Sequence, residues 1–123
     1  MILVNVAGVR MEMPSNTPIV LLNETHGSRY LPIWIGAVEA TAIAYAQQGV
    51  TPPRPMTHDL IIELLDELGA QLTGVRITAL TDGVFFAFLD LTTSGGVERE
   101  LSARPSDAIA LALRVDAPIT VSA

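Results

Sequence analysis

Arg104 to Arg114 reads RPSDAIALALR, and its centre constrains the whole chain. From Ala108 to Leu113 every residue is apolar. A helix over them is apolar on all sides, so it must be buried on all sides, with a layer beneath it and neighbours beside it. Pro105 suits the first helical position, where the N–H it lacks would be unpaired anyway. Ser106 and Asp107 follow in the first turn. There their oxygens can meet free backbone N–H groups and a carboxylate complements the helix dipole. The polar start Arg104-Pro105-Ser106-Asp107 is therefore held by an immobile body, and a rigid polar end is where a site is built.

The rest of the composition narrows the choices. At 123 residues, half of them hydrophobic, the chain reads as one domain over 1–123 with a sizeable core. Without cysteine it has no disulfide, no thiolate metal site and no thiol nucleophile. The start, MILVNVAGVRMEM, is interrupted by Asn5, Arg10 and Glu12 and reads as a strand, not a leader. No run approaches the roughly 18 to 20 apolar residues of a membrane span, and a cytoplasmic location is expected. Thirteen acids face seven arginines and no lysine, for a net charge of -6. That balance counts against a non-specific polyanion binder, which carries a basic stripe, and is compatible with a bound divalent cation.

Along the chain, Ile2, Val4 and Val6 share one phase while Val9, Met11 and Met13 take the other. An extra residue near Ala7-Gly8, a β-bulge, restores one apolar face. Pro14-Ser15-Asn16 turns into an apolar strand over Ile19 to Leu22, expected to be covered on both faces. His26-Gly27 turns again, and Tyr30 to Ile35 is a third strand. Pro32 cannot donate to a ladder, which puts this strand at an edge or a bulge. Gly36 to Gln48 is an Ala-rich helix stopped by Gly49. After the stiff loop VTPPRPM, Thr57 is expected to cap a second helix with a core stripe of Ile61, Leu64, Leu65 and Leu68. Leu72, Val75, Ile77 and Ala79 begin a second set of strands, separated by turns at Asp82-Gly83 and Gly95-Gly96. Val84 to Leu91 and Val97 to Ala103 complete it. The apolar helix follows, then a short strand at Pro118 to Val121.

The two halves align without gaps at an offset of 68 residues. Pro14-Ser15 falls on Asp82-Gly83, His26-Gly27 on Ser94-Gly95, and EATAIAYA from Glu39 on DAIALALR from Asp107. The expected architecture is therefore α+β: internally duplicated β3-α units, over about 1–69 and 70–121, with mostly antiparallel strands and helices packed on the sheet. In that register Glu39 and Asp107 are equivalent.

Glu39, Asp59 and Asp107 form the first constellation. Carboxylates converging on one point can hold Mg2+ or Mn2+ and activate water. Their other explanation is that acids stabilise helix starts. His58 is either a general base, with a pKa near neutrality, or an exposed first-turn residue. His26, beside a turn glycine, is expected to face solvent. Arg54, Arg104 and Arg114 either clamp a phosphate or pair with these same acids. Tyr30 and Trp34 share a strand face, where they stack on bases or fill a core or dimer contact. There is no P-loop, no dinucleotide fingerprint and no organic-cofactor motif.

LPIWIG at Leu31 to Gly36 with Glu39 and Ala40, RPMTHDL at Arg54 to Leu60, RPSDAIALALR, and Pro118-Ile119 together resemble the bifunctional nuclease domain family. The resemblance covers nearly the whole chain. It implies an α+β fold of repeated strand-and-helix units, a tendency to form homodimers, and the nuclease activity on DNA and RNA attached to plant members. Family members often run on past the last strand. The residues that match its motifs are Glu39, Arg54, His58, Asp59, Arg104, Ser106 and Asp107. The expected function is a hydrolase of DNA and RNA phosphodiesters, divalent-metal-assisted, with Glu39, His58, Asp59 and Asp107 catalytic. Glu39, Asp59 and Asp107 would hold the metal, and Arg54, Arg104 and Ser106 the substrate. The alternative is a non-enzymatic dimeric module that binds a protein or small ligand.

Overall fold

In the computed structural model, which describes residues 1–79 and 84–122, the elements follow the order β1 (Ile2–Glu12), β2 (Thr17–Glu24), β3 (Tyr30–Trp34), α1 (Ala37–Gln48), α2 (Thr57–Glu67), β4 (Gln71–Ala79), β5 (Phe85–Thr92), β6 (Glu98–Ala103), α3 (Pro105–Val115) and β7 (Ile119–Val121). The turn expected at Asp82-Gly83 lies outside the described residues. All seven strands belong to one mixed sheet of order β3-β2-β1-β7-β4-β5-β6. Each half is an antiparallel three-stranded meander leading to a helix. The short β7 joins them, antiparallel to β1 and parallel to β4. A three-residue apolar run at the end of a chain gave no sign that it would be the central strand.

The bulge is where the phase slip put it, between Val6 and Gly8. It lets Ile2, Val4, Val6 and Val9 all pack toward the core. β4 carries a second bulge between Leu72 and Gly74. The signal for it was present, since Leu72 and Val75 are three apart on one face. β3 is an edge strand, as Pro32 requires. Connectivity is the same in the two halves, but the ungapped offset fails in detail. It places Val20, buried under the helices, on Phe88, which pairs with Arg76 on the opposite face. The rows correspond only if β1 and β2 are shifted in opposite senses. Gly8 then falls on Gly74, and the two bulges coincide.

α3 is buried along its body, Ala108 to Ala112, beneath α1 and α2 and over the sheet. The Ile19 to Leu22 expectation is corrected in one respect: helices cover one face only. Ile19 is nonetheless buried on the open face, in a row between Arg10 and Trp34. α2 corrects two others. Its N-cap is Met56, and Thr57 is its first helical residue, making no side-chain cap bond. Its inner stripe is His58, Ile61, Ile62 and Leu65, while Leu64 and Leu68 face out. The spacing i, i+3, i+4, i+7 fits this set, with the histidine as its first member. No described helix is long and apolar enough to cross a membrane.

Candidate functional site

Glu39, Asp59 and Asp107 are each the third residue of their helix. There they face free N–H groups and the positive end of the dipole. Two of the three are drawn together. Arg104, the N-cap residue of α3, donates from Nε to Asp107 Oδ2 at 2.9 Å and from Nη1 to Glu39 Oε1 at 3.4 Å. Asp107 Oδ1 is 2.9 Å from His58 Nε2. The chain Glu39–Arg104–Asp107–His58 thus links the first turns of all three helices.

Burial differs sharply along this chain. His58 is 6% exposed, which rules out the exposed first-turn reading. The Glu39 side chain is 12% exposed and that of Arg104 is 65% exposed. Burial pushes the Asp107 pKa up, but the hydrogen bonds from His58 and Arg104 outweigh it. The carboxyl is left below its ordinary value and ionised at neutral pH. The same two acids raise Arg104 further, through the Asp107 hydrogen bond first. An ionised Asp107 fixes the imidazole with Nε2 as the donor.

The starts of α1 and α3 open onto one cleft of about 430 Å³, lined among others by Trp34, Gly36, Glu39, Arg104 and Ser106. Ser106 is buried in its wall. Glu39 folds back over the start of its own helix. A Cβ on Gly36 would lie 2.5 Å from Glu39 Oε1, so the glycine of LPIWIG is what lets the carboxylate sit there. Trp34, 58% exposed, forms one lip.

Asp59 is elsewhere. Arg114, near the end of α3 and about two turns past Asp107, donates to Asp59 Oδ1 at 2.7 Å. It also donates to the carbonyls of Ala110 at 2.7 Å and Ala42 at 3.1 Å. Asp59 Oδ2 accepts from the Met56 N–H at 3.0 Å. Burial raises the Asp59 pKa, and Arg114 and the Met56 N–H bring it below its ordinary value. The expected metal trio is therefore split, because the neighbours His58 and Asp59 reach partners at opposite ends of α3. Among the described residues no three His, Asp or Glu are grouped to hold a metal ion. Arg54 is exposed and makes no hydrogen bond or ion pair among the described residues. His26 is exposed, as expected. The residue that sequence reasoning undervalued is Trp34. Its only signal was its place on an edge strand two residues before a glycine.

These features define an α+β domain with one helix-covered sheet and a polar cleft at the paired starts of two helices. A sequence model of the bifunctional nuclease domain matches residues 20–123, and the chain belongs to that family. It is 55% identical over 118 residues to an uncharacterised protein of Mycobacterium tuberculosis, covering 96% of this chain and 70% of that protein. It is 32% identical over 106 residues to "Bifunctional nuclease 1" of Arabidopsis thaliana, covering 85% of this chain. To the protein of the same name in Oryza sativa subsp. japonica it is 30% identical over 106 residues. The chain spans about a third of the length of these two plant proteins, 33% and 32%.

Proposed function

We propose that the chain is a nuclease that hydrolyses phosphodiester bonds of DNA and RNA in the cleft at the starts of α1 and α3. Family membership supports the class of reaction. The observation that carries the location is that a largely exposed Arg104 and a half-exposed Trp34 line the same cleft as the Glu39 carboxylate. A guanidinium and two helix starts suit a phosphate, and an indole suits a base. In this reading Glu39 takes the proton from the attacking water as the phosphorus–oxygen bond to the leaving nucleotide breaks. Arg104 steadies the negative charge that develops. Asp107 and His58 act behind Arg104 as positioning residues. Magnesium or manganese assistance is part of the proposal, with Glu39 the one carboxylate among the described residues that line the cleft.

The same reading treats the halves as copies of one β-β-β-α unit and the chain as a homodimer. The matching bulges support the first. The outward leucines of α2, Leu60, Leu64 and Leu68, support the second. One observation favours the non-enzymatic module: each of the three acids already has a cationic or histidine partner without a ligand. Purified protein assayed on DNA and RNA oligonucleotides, with magnesium, manganese or chelator, separates the two. Cleavage lost in Arg104→Ala supports the nuclease. No cleavage by the wild type in any condition leaves the module.

A further inference from the structure

The sheet carries helices on one face only, and the other face is not uniform. Cross-strand partners share a face, so the register places side chains in rows. On the first meander the open-face rows are Arg10–Ile19–Trp34, Gly8–Leu21–Pro32 and Asn5–Asn23–Tyr30. Tyr30 is 61% exposed, and Trp34 is similarly open. Arg10 is exposed and pairs with no acid among the described residues. It is the one charged side chain in these rows; Glu12 follows at the end of β1. Nothing lies within 4 Å of where a Cβ on Gly8 would be, so the middle row is low and clear.

The second meander differs. Its open-face rows carry Asp90, Glu98 and Glu100 against the single Arg76. Asp90 and Glu100 already occupy Arg76, which also stacks on Phe88. Phe86 is exposed there, but no unpaired cation stands in these rows.

We propose that the helix-free face of the first meander is a platform for single-stranded nucleic acid, with Tyr30 and Trp34 stacking on bases and Arg10 meeting the backbone. This rests on the nuclease reading and gives its substrate class. Tyr30 and Trp34 are four residues apart on β3, about 13 Å. Stacked bases rise about 3.4 Å per step, so a strand touching both rings has its bases spread apart, which a duplex does not allow. Asn23 and then Asn5 continue the row of Tyr30 across β2 and β1, with amide groups for base edges or phosphate. Trp34 also forms the lip of the cleft, so a strand lying on the platform runs on toward Arg104 and Glu39.

Trp34 is the only tryptophan in the chain, so its fluorescence reports on the platform directly. Wild-type protein is titrated with a single-stranded oligothymidylate, an oligouridylate and a DNA duplex, with cleavage followed in parallel. Both single strands should quench Trp34 saturably, and the duplex should bind at least about tenfold more weakly. Tyr30→Ala and Arg10→Ala should each weaken single-strand binding about fivefold or more at unchanged thermal stability, as loss of a stacked base or a phosphate contact requires. Phe86→Ala on the other meander should leave it unchanged. Equal quenching by the duplex overturns the proposal, as does indifference to Tyr30→Ala. So does a Trp34 shielded from acrylamide in the free protein, the result if a second copy covers this face. Cleavage without quenching removes the platform and leaves the nuclease standing. Quenching without cleavage does the reverse.

Discussion

The two ends of α3 each carry an arginine–aspartate pair, and the pairs are built for different tasks. At the far end the Arg114 side chain is 11% exposed and gives one hydrogen bond each to Asp59 on α2, Ala42 on α1 and Ala110 on its own helix. A guanidinium so enclosed has little left to offer a ligand; it fastens three helices. At the near end Arg104 reaches two acids but leaves most of its surface to solvent, at the mouth of a cleft. Burial, more than charge or residue type, separates the structural pair from the candidate functional one.

The largest expected effect is at the far end. Arg114→Met leaves Asp59 without its cation and takes a side-chain donor from two helix carbonyls. It should lower unfolding free energy by about 3 to 5 kcal/mol in a urea titration, with cleavage surviving in whatever fraction stays folded. A stability loss under about 1 kcal/mol would put the two arginines in the same class.

Asp107→Asn comes next. The amide keeps the shape but loses the charge that holds His58 and Arg104. The expected cost is about 1 to 2 kcal/mol, discounted because the carboxylate is partly exposed. Cleavage should fall about tenfold or more through a loosened Arg104. Wild-type stability with a wild-type rate would remove Asp107 from the positioning role.

Acid sharpens the comparison further. Asp59 and Asp107 both have folded pKa values below their unfolded value near 3.9. Their stabilisation is present above that value and is lost as pH falls through the lower folded ones. Unfolding free energy measured from pH 6 down to 2 should therefore decline mainly below about pH 4. Asp59→Asn and Asp107→Asn should each flatten that decline.

Why some of this was legible in the sequence follows from the physics of each element. The six apolar residues of α3 admit only a buried helix, and Pro32 admits only an edge. The phase slip at Ala7-Gly8 admits only a bulge. Those are local constraints with one solution. The stripe of α2 had two solutions, because leucines occupy both its inner and outer flanks. The histidine that belongs to the inner one is polar and does not read as part of an apolar stripe. Glu39, Asp59 and Asp107 are alike in sequence, each in a first turn. Which arginine each meets depends on how α2 crosses α3, a long-range packing outcome that local pattern does not encode. Trp34 reads as a stacking, core or dimer aromatic until the sheet order shows that, among the described residues, no further strand and no helix covers it.

The smallest effect on stability belongs to the residue on which the chemistry depends most. Glu39→Gln keeps the shape of the side chain against Gly36 and removes its charge. The direct measurement is the single-turnover cleavage rate of this variant on a single-stranded oligonucleotide at saturating protein, beside its thermal unfolding midpoint. The account predicts a rate lower by at least about 100-fold, the scale of a lost general base, at a midpoint within a few degrees of the wild type. A variant that cleaves at the wild-type rate would contradict the placement of the active site in this cleft.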